Sequence, residues 1–398
     1  IVFRGLTFKH SSQKGVLRYF EKTAVRLSRG VRNCSILDCR FSDLGGSGVV
    51  IWRECRNNVV AGCEFVHTGD TPVCLFDYPG TGPSLNGGNQ ITDNYIHHCS
   101  TVTKSTAGVR VEGSEENRIA HNVICNMPYV GISVIGTRVK SWVKKNVPEL
   151  QPPYTSAKLK PFVPARKNIV EFNHIHHVMQ ELRDGGGIYF WGTLGEGANI
   201  VRNNLINNVG TGEGAAEGIY LDAEADDIHI YNNVVYGANQ GVFLHGSPRN
   251  ILENNVFAYS YLIDVSISPL EFNTAPMNNI FSRNVIYMGF GKLFETGDNR
   301  NKFWGRKAVG KMDNNIYWRG NTPVDFSNMH LNQFNKNSLI ADPFLDKPAG
   351  DKFTVRFGPH AEKTGIKPIE LKTVGLTKTS MYTAKADKFS GVVFPLPE

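Results

Sequence analysis

The chain has 398 residues, with 40 Gly, 19 Pro and a formal net charge of +7. An apolar fraction of 41% and an aromatic fraction of 11% supply a large core, which excludes an intrinsically disordered chain, and no run approaches the length of a membrane span. The basic balance points to an acidic partner only if the charge is concentrated in one place.

Ile1 to Phe8 alternate like a strand, with no Met, no basic n-region and no cleavage site. The polypeptide is therefore expected to start partway through a structure, with an N-terminal part missing or removed. An extracellular location is expected, although a secretory signal is neither seen nor excluded. Seven cysteines follow at 34, 39, 55, 63, 74, 99 and 125. The count is odd and there is no CxxC, so no zinc site and no cofactor is expected. Asn33-Cys34-Ser35 is a single glycosylation sequon.

An Asn-x-apolar motif recurs at Asn94, Asn122, Asn173, Asn204, Asn233, Asn255 and Asn284, and Cys39 and Cys63 replace Asn in two earlier copies. Each copy is preceded by a short apolar stretch, as in Asn168-Ile169-Val170, and followed by a third stretch usually opened by Gly. No segment has a helical period. Three short strands per repeat, stacked on themselves, predict an all-β chain folded as a right-handed parallel β-helix. Stacked Asn amides on successive coils can hydrogen-bond one another and satisfy the bent backbone. Cys39 and Cys63 fall in the Asn column on adjacent coils. Coils about 4.8 Å apart permit a disulfide there, and two buried thiols fit equally well.

The third strands align on their opening residue as Gly48-Val-Val-Ile-Trp52, Pro72-Val-Cys-Leu-Phe76, Gly108-Val-Arg-Val-Glu112, Gly131-Ile-Ser-Val-Ile135, Gly187-Ile-Tyr-Phe-Trp191, Gly218-Ile-Tyr-Leu-Asp222 and Gly241-Val-Phe-Leu-His245. The first and third residues after Gly are apolar and point into the core by strand alternation. The second and fourth then face out: Arg110 and Glu112, Tyr189 and Trp191, Tyr220 and Asp222, Phe243 and His245. Aromatics, carboxylates, Arg and His in one row suit a sugar-binding groove. The alternative is a satellite core covered by a flanking loop.

His97-His98 and His176-His177 follow the Asn motif in two coils, with His67 in the column of His98 and His177. They are expected to stack and hydrogen-bond along the helix, as Asn126 and Asn208 do in the same column, rather than to hold a metal. His177 lies seven residues before Asp184 and is a candidate to orient it. Between Asn122 and Asn173 the repeat carries an insertion, residues 137–167, with eight basic residues and the single acid Glu149. The rest of the chain holds 35 basic and 35 acidic residues, so the whole net charge sits in this insertion. Trp142, Tyr154 and Phe162 are interleaved with the cations. The insertion reads as a groove wall for an anionic glycan, sulfated or uronate-bearing, or as a solvated loop. A nucleic-acid partner is not expected.

Asp184 precedes three glycines, which permit a tight turn and keep bulk away from the carboxylate. Asp222 ends the equivalent strand one coil on, which places the two within roughly 5–10 Å, the range of both retaining and inverting glycosidases. Glu217, Glu213, Glu224 and Glu112 are rival carboxylates. Arg110, Glu112, His177, Tyr189, Trp191, Glu217, Tyr220 and His245 are the expected substrate contacts.

The run from Asn173 to Gln180, Asp184-Gly-Gly-Gly-Ile-Tyr189 and Gly218-Ile-Tyr-Leu-Asp222 resemble right-handed β-helix glycoside hydrolases, closest to glycoside hydrolase family 141, whose members act on α-L-fucosides or xylan. Ala341-Asp342-Pro343-Phe344, Gly350 to Phe353 and Gly365 to Ile369 are similar to the segment that closes such proteins. The resemblance spans about Gly5 to Gly375 and implies that Asp184 and Asp222 are the catalytic aspartates. Phe190-Trp191-Gly192 departs from the run usual after Gly-Ile-Tyr and implies a different substrate. The expected organisation is a β-helix over 1–320 and a closing segment over 321–398. The first expected function is a secreted glycoside hydrolase. A polysaccharide lyase using Arg110 and the basic insertion is the second, and a non-catalytic glycan-binding protein is the third.

Overall fold

The structure is a computed structural model. It describes residues 1–12, 22–77, 86–136, 149–151, 158, 165–193, 198–268, 277–287, 291–296, 309–320, 322–324, 336–343, 354–355, 358–377 and 380–384. The expectations placed on Arg138, Lys140, Trp142, Lys144, Lys145, Tyr154, Lys160 and Phe162 lie outside the described residues.

The repeat becomes three parallel sheets. Among the described residues they hold 11, 12 and 10 strands, and each coil adds one strand to each sheet in turn. Register is kept from coil to coil, as in Asn94's successors Tyr95, Val123, His174 and Leu205, which stand opposite one another. The apolar sequence positions stack in the same way inside. Phe8, Phe41 and Phe65 form a column with ring centroids 4.8 and 4.7 Å apart and planes within 7°.

The Asn motif forms a buried ladder. Each amide donates to the next amide's Oδ1, at 3.0 Å for Asn94 to Asn122, 2.9 Å for Asn122 to Asn173 and 3.0 Å for Asn173 to Asn204. The ladder runs on to Asn315, a further copy of the motif. A second ladder, Asn58–Asn89–Asn117–Asn168, precedes the first-sheet strands in the same way. Cys39 and Cys63 are buried thiols in the first ladder's column. The Cys63 sulfur accepts from the Cys39 N–H at 3.4 Å, and its S–H lies 3.6 Å from Ile36 O and 3.4 Å from Ala61 O. These are the partners an Asn amide takes elsewhere in the column, as Asn173 does with Ile119 O and Glu171 O. Cys63→Asn is therefore expected to lengthen the ladder by one rung and stabilise the first coils by about 1 kcal/mol, measured as a rise in unfolding temperature.

Glycine opens the third strands because its α-carbon approaches the second sheet. A Cβ at Gly218 would stand 2.2 Å from Val235 Cγ1, inside the core. The C-terminal segment returns along the corner between the first and second sheets. Lys367 is clamped by Asn254, Thr373 O meets His121, Gly375 N–H donates to Phe172 O, Thr377 donates to Asp93, and Tyr382 Oη donates to Gly5 O. Ala361, Ile366, Ile369 and Leu371 cover the outer apolar face of Leu205, Val234, Tyr236 and Val256.

Candidate active site

Strand pairing fixes which side chains share the outer face of the third sheet. The strands Val109–Glu112, Ile132–Ile135, Gly186–Trp191, Glu217–Asp222 and Gln240–His245 are consecutive neighbours. One outward column reads Arg110, Ser133, Tyr189, Tyr220, Phe243, and the other Glu112, Ile135, Trp191, Asp222, His245. The rings of Tyr189, Tyr220 and Phe243 follow each other at 5.2 and 5.1 Å.

Asp222 is the centre of the polar contacts. Its Oδ2 accepts from Tyr189 Oη at 3.0 Å, and its Oδ1 is 2.9 Å from His245 Nδ1. The Asp222 side chain keeps 14% of its surface exposed and His245 31%, so both can meet a ligand. Asp184 is exposed and sits at φ 63, the left-handed conformation that a turn before the glycines requires. Tyr220 Oη is 3.4 Å from Asp184 Oδ1 and 3.4 Å from His245 Nδ1. These two contacts and the His245–Asp222 contact of 2.9 Å hold the two carboxylates to a separation of about 10 Å or less.

Burial raises the Tyr189 and Tyr220 hydroxyls far above their ordinary range, and the Asp222 charge adds to both. They therefore stay protonated and donate, Tyr189 to Asp222 and Tyr220 toward Asp184. Tyr129 was not foreseen. Its hydroxyl donates to Asp184 O at 2.5 Å, and burial, with the Asp184 charge behind it, pushes it up to about 12. Its ring explains the first glycine, since a Cβ at Gly185 would lie 2.9 Å from Tyr129 Cε2. Glu217 is fully buried, and among the described residues neither carboxyl oxygen has a hydrogen-bond partner. Burial, then the nearby Asp184 charge, raises its carboxyl to about 8.

The other expected contacts separate. Trp191 is half-buried in the Asp222 column and lines the strip. Tyr220 is buried rather than open, so at that point the covered-core reading holds. Arg110 spends its guanidinium on Glu112, with Nε and Nη2 donating to one oxygen at 3.0 and 2.7 Å. This pair lies two coils from Tyr189 and Trp191. His177 does not join the site. It lies on the second-sheet strand His174–Val178 at φ 50, its Nδ1 is 2.8 Å from His176 Nδ1, and it makes no contact with Asp184. Seven residues of separation placed it at a corner, in the left-handed column of His67, His98, Asn126 and Asn208. Glu213 is exposed and 4.0 Å from Arg183, and Glu224 occupies the turn after Asp222 at φ 69. Among the described residues no cluster of His, Cys, Asp and Glu is arranged to hold a metal.

A family described as "Right handed beta helix region" matches residues 1–147. The fold is a right-handed parallel β-helix. Solved structures with a similar fold include a glycoside hydrolase, at 20% identity and TM-score 0.39, covering 56% of this chain and 36% of that one. The A-module of the Azotobacter vinelandii mannuronan C-5 epimerase AlgE4 matches at 12% identity and TM-score 0.46, covering 76% of this chain and 70% of the other. The PL6 family alginate lyase AlyGC matches at 13% and 0.49, covering 95% of this chain and 55% of the other. The β-helix thus spans about a third of the first of these proteins and about half of the third. A search of curated proteins finds no match. No described helix is long and apolar enough to cross a membrane.

Proposed function

We propose that the protein is a secreted glycoside hydrolase of the kind found in glycoside hydrolase family 141, cleaving a polysaccharide with Asp184 and Asp222. The observation that carries this reading is the pair of donors on Asp222. Tyr189 Oη and His245 Nδ1 hold the carboxylate in one orientation, facing a half-open aromatic strip. An ionised, oriented carboxylate is the base or nucleophile that glycoside hydrolysis needs. Asp184, exposed on its turn and within about 10 Å, is the partner on the leaving-group side. Trp191 and Tyr189 present ring surface for stacking a sugar.

An anionic glycan is the proposed substrate class, on the charge of the insertion 137–167. Two of its cations serve the coil stack instead: Arg166 pairs with Glu115 at 2.8 Å and Lys167 with Glu116 at 3.4 Å. Lys158 is exposed. Elimination rather than hydrolysis is the second reading. Arg110, bound to Glu112, is a poor base for it, and the contact that favours it is Tyr220 Oη beside His245 Nδ1.

The test is digestion of a panel of neutral, sulfated and uronate-bearing polysaccharides with product detection by mass spectrometry and ultraviolet absorbance. Products gaining one water per cut, without new absorbance, are the expected result. Unsaturated, absorbing products would replace hydrolysis by elimination. Retention of polymer without cutting would replace both by glycan binding.

A further inference from the structure

The C-terminal segment follows one column of corner residues, the left-handed position just before each rung of the Asn ladder. At Asp93, His121 and Phe172 it closes directly on that column. Toward the later coils it stands off, and a cleft of about 710 Å³ opens between the coils and the short helix Pro359–Thr364. Sites for small ligands commonly measure about 300–1,000 Å³. The floor comes from four consecutive coils: His229 and Tyr231, then Glu253, then Arg283, then Asn314. Coils lie about 4.8 Å apart, so the cleft runs about 14 Å along the solenoid, which suits an extended chain better than a compact ion.

Both walls are fixed. On the coil side, Arg202 Nη1 donates to Tyr231 Oη at 2.9 Å and Arg202 Nε is held by Glu171 at 2.7 Å, so the phenol keeps its place with its own proton left to donate. The rings of His229 and Tyr231 lie 4.5 Å apart and present apolar surface beside that polar tip. On the other side, Asn254 pins the Lys367 backbone at 2.7 Å through its N–H and 3.0 Å through its O, and Ile366 is buried against the second sheet. Lys363 and Lys367 are exposed on the rim, and among the described residues neither ammonium pairs with a carboxylate. Glu253 is taken by Arg283, which leaves no free carboxylate pair of the kind that cuts a glycosidic bond. A polyphosphate would meet Glu253 and Glu362 in this lining. A uronate chain has a carboxylate for the lysines and hydroxyls that can donate to Glu362 and accept from Tyr231, Asn232 and Asn314. We propose that this cleft is a second glycan-binding site, which holds a uronate-bearing stretch of polysaccharide without cutting it. The site lies away from the third sheet and does not depend on the hydrolase reading.

The test is hydrogen exchange with calorimetry on the full chain carrying Asp222→Asn, which keeps the probe from being cut at the strip. The probe is a uronate tetrasaccharide, with its carboxyl-reduced neutral form beside it. The uronate is expected to slow exchange in the helix Pro359–Thr364 and the strand His229–Tyr231. Adding Lys363→Ala and Lys367→Ala should weaken that binding about tenfold and abolish the slowing in both segments. Any slowing in the strip strand Glu217–Asp222 should survive, so the two sites are read separately. Both lysines are exposed, and the variant should melt with its parent. Slowing confined to the strip, equal slowing by the neutral form, or binding indifferent to the two lysines would overturn the proposal. An oligonucleotide that protects the same two segments more strongly would overturn it in favour of nucleic acid.

Discussion

Asp222→Asn is expected to lower turnover by on the order of a thousandfold or more while the protein melts within a few degrees of wild type. The amide matches the carboxylate in size and leaves the strand and its register alone. What it removes is the negative charge at the point where Tyr189 Oη and His245 Nδ1 converge. An Asn oxygen can accept from one of them. The other faces an NH₂ group, and His245 can answer by changing tautomer, so the stability cost is about 1 kcal/mol. The catalytic cost is not recovered that way, because among the described residues the neighbours of Asp222 in its column are Trp191 and His245, neither of them a carboxyl. Steady-state kinetics on the best substrate from the polysaccharide panel, with thermal unfolding alongside, measures both effects. Wild-type turnover in Asp222→Asn would remove Asp222 from the chemistry. Loss of turnover with a collapse in melting temperature would make it a structural residue.

The fold was legible because a solenoid repeats its instructions. Asn at one position, an apolar alternation and an opening Gly recur often enough to define the coil, and register then follows without further information. The Asp222–His245 contact was legible for the same reason, since the two residues occupy one column on adjacent coils. Legibility stopped where a side chain approaches from beyond the strand. The outward direction of Tyr220 could be read but not its burial, and the Tyr129 hydroxyl on Asp184 O could not be read at all, because Tyr129 comes from a loop with no period. Register offers a signal only in hindsight: Tyr129, two residues before Gly131, stands against Gly185, two before Gly187. Glu217 was noticed as a carboxylate, but its isolation depends on which neighbours are absent. His177 shows the opposite error, in which closeness along the chain was taken for closeness in space. The insertion kept its charge but not all of its freedom, since Arg166 and Lys167 already belong to the next coil.

The largest effect on stability is expected at Asn204, in the middle of the first ladder. Its Nδ2 group donates to Val170 O at 2.9 Å, Arg202 O at 3.0 Å and Asn233 Oδ1 at 2.9 Å, and its Oδ1 accepts from the Asn173 backbone and side chain at 3.0 Å each. Water does not reach the side chain. Asn204→Ala leaves the buried Asn173 backbone N–H without its acceptor, breaks the amide ladder on both sides and takes a donor from Val170 O and Arg202 O, and each buried group left unpaired costs about 1–3 kcal/mol. A loss of about 3–5 kcal/mol and roughly 10 °C in melting temperature follows. Asn203→Ala is the control. Asn203 is only half-buried and held at φ 55, so its replacement costs only the left-handed strain of about 1–2 kcal/mol. Because each coil touches only its neighbours, the damage should be local. Hydrogen exchange should speed up in the strands His174–Val178, Leu205–Val209 and Val234–Ala238, while Phe41 and Phe65 stay protected. The strand Glu217–Asp222 closes the same coil as Leu205–Val209. Turnover should therefore fall along with the ladder, which would tie the position of Asp222 to an amide that never faces the groove. A variant as stable as wild type would mean that the ladder records the stacking of the coils rather than holding it.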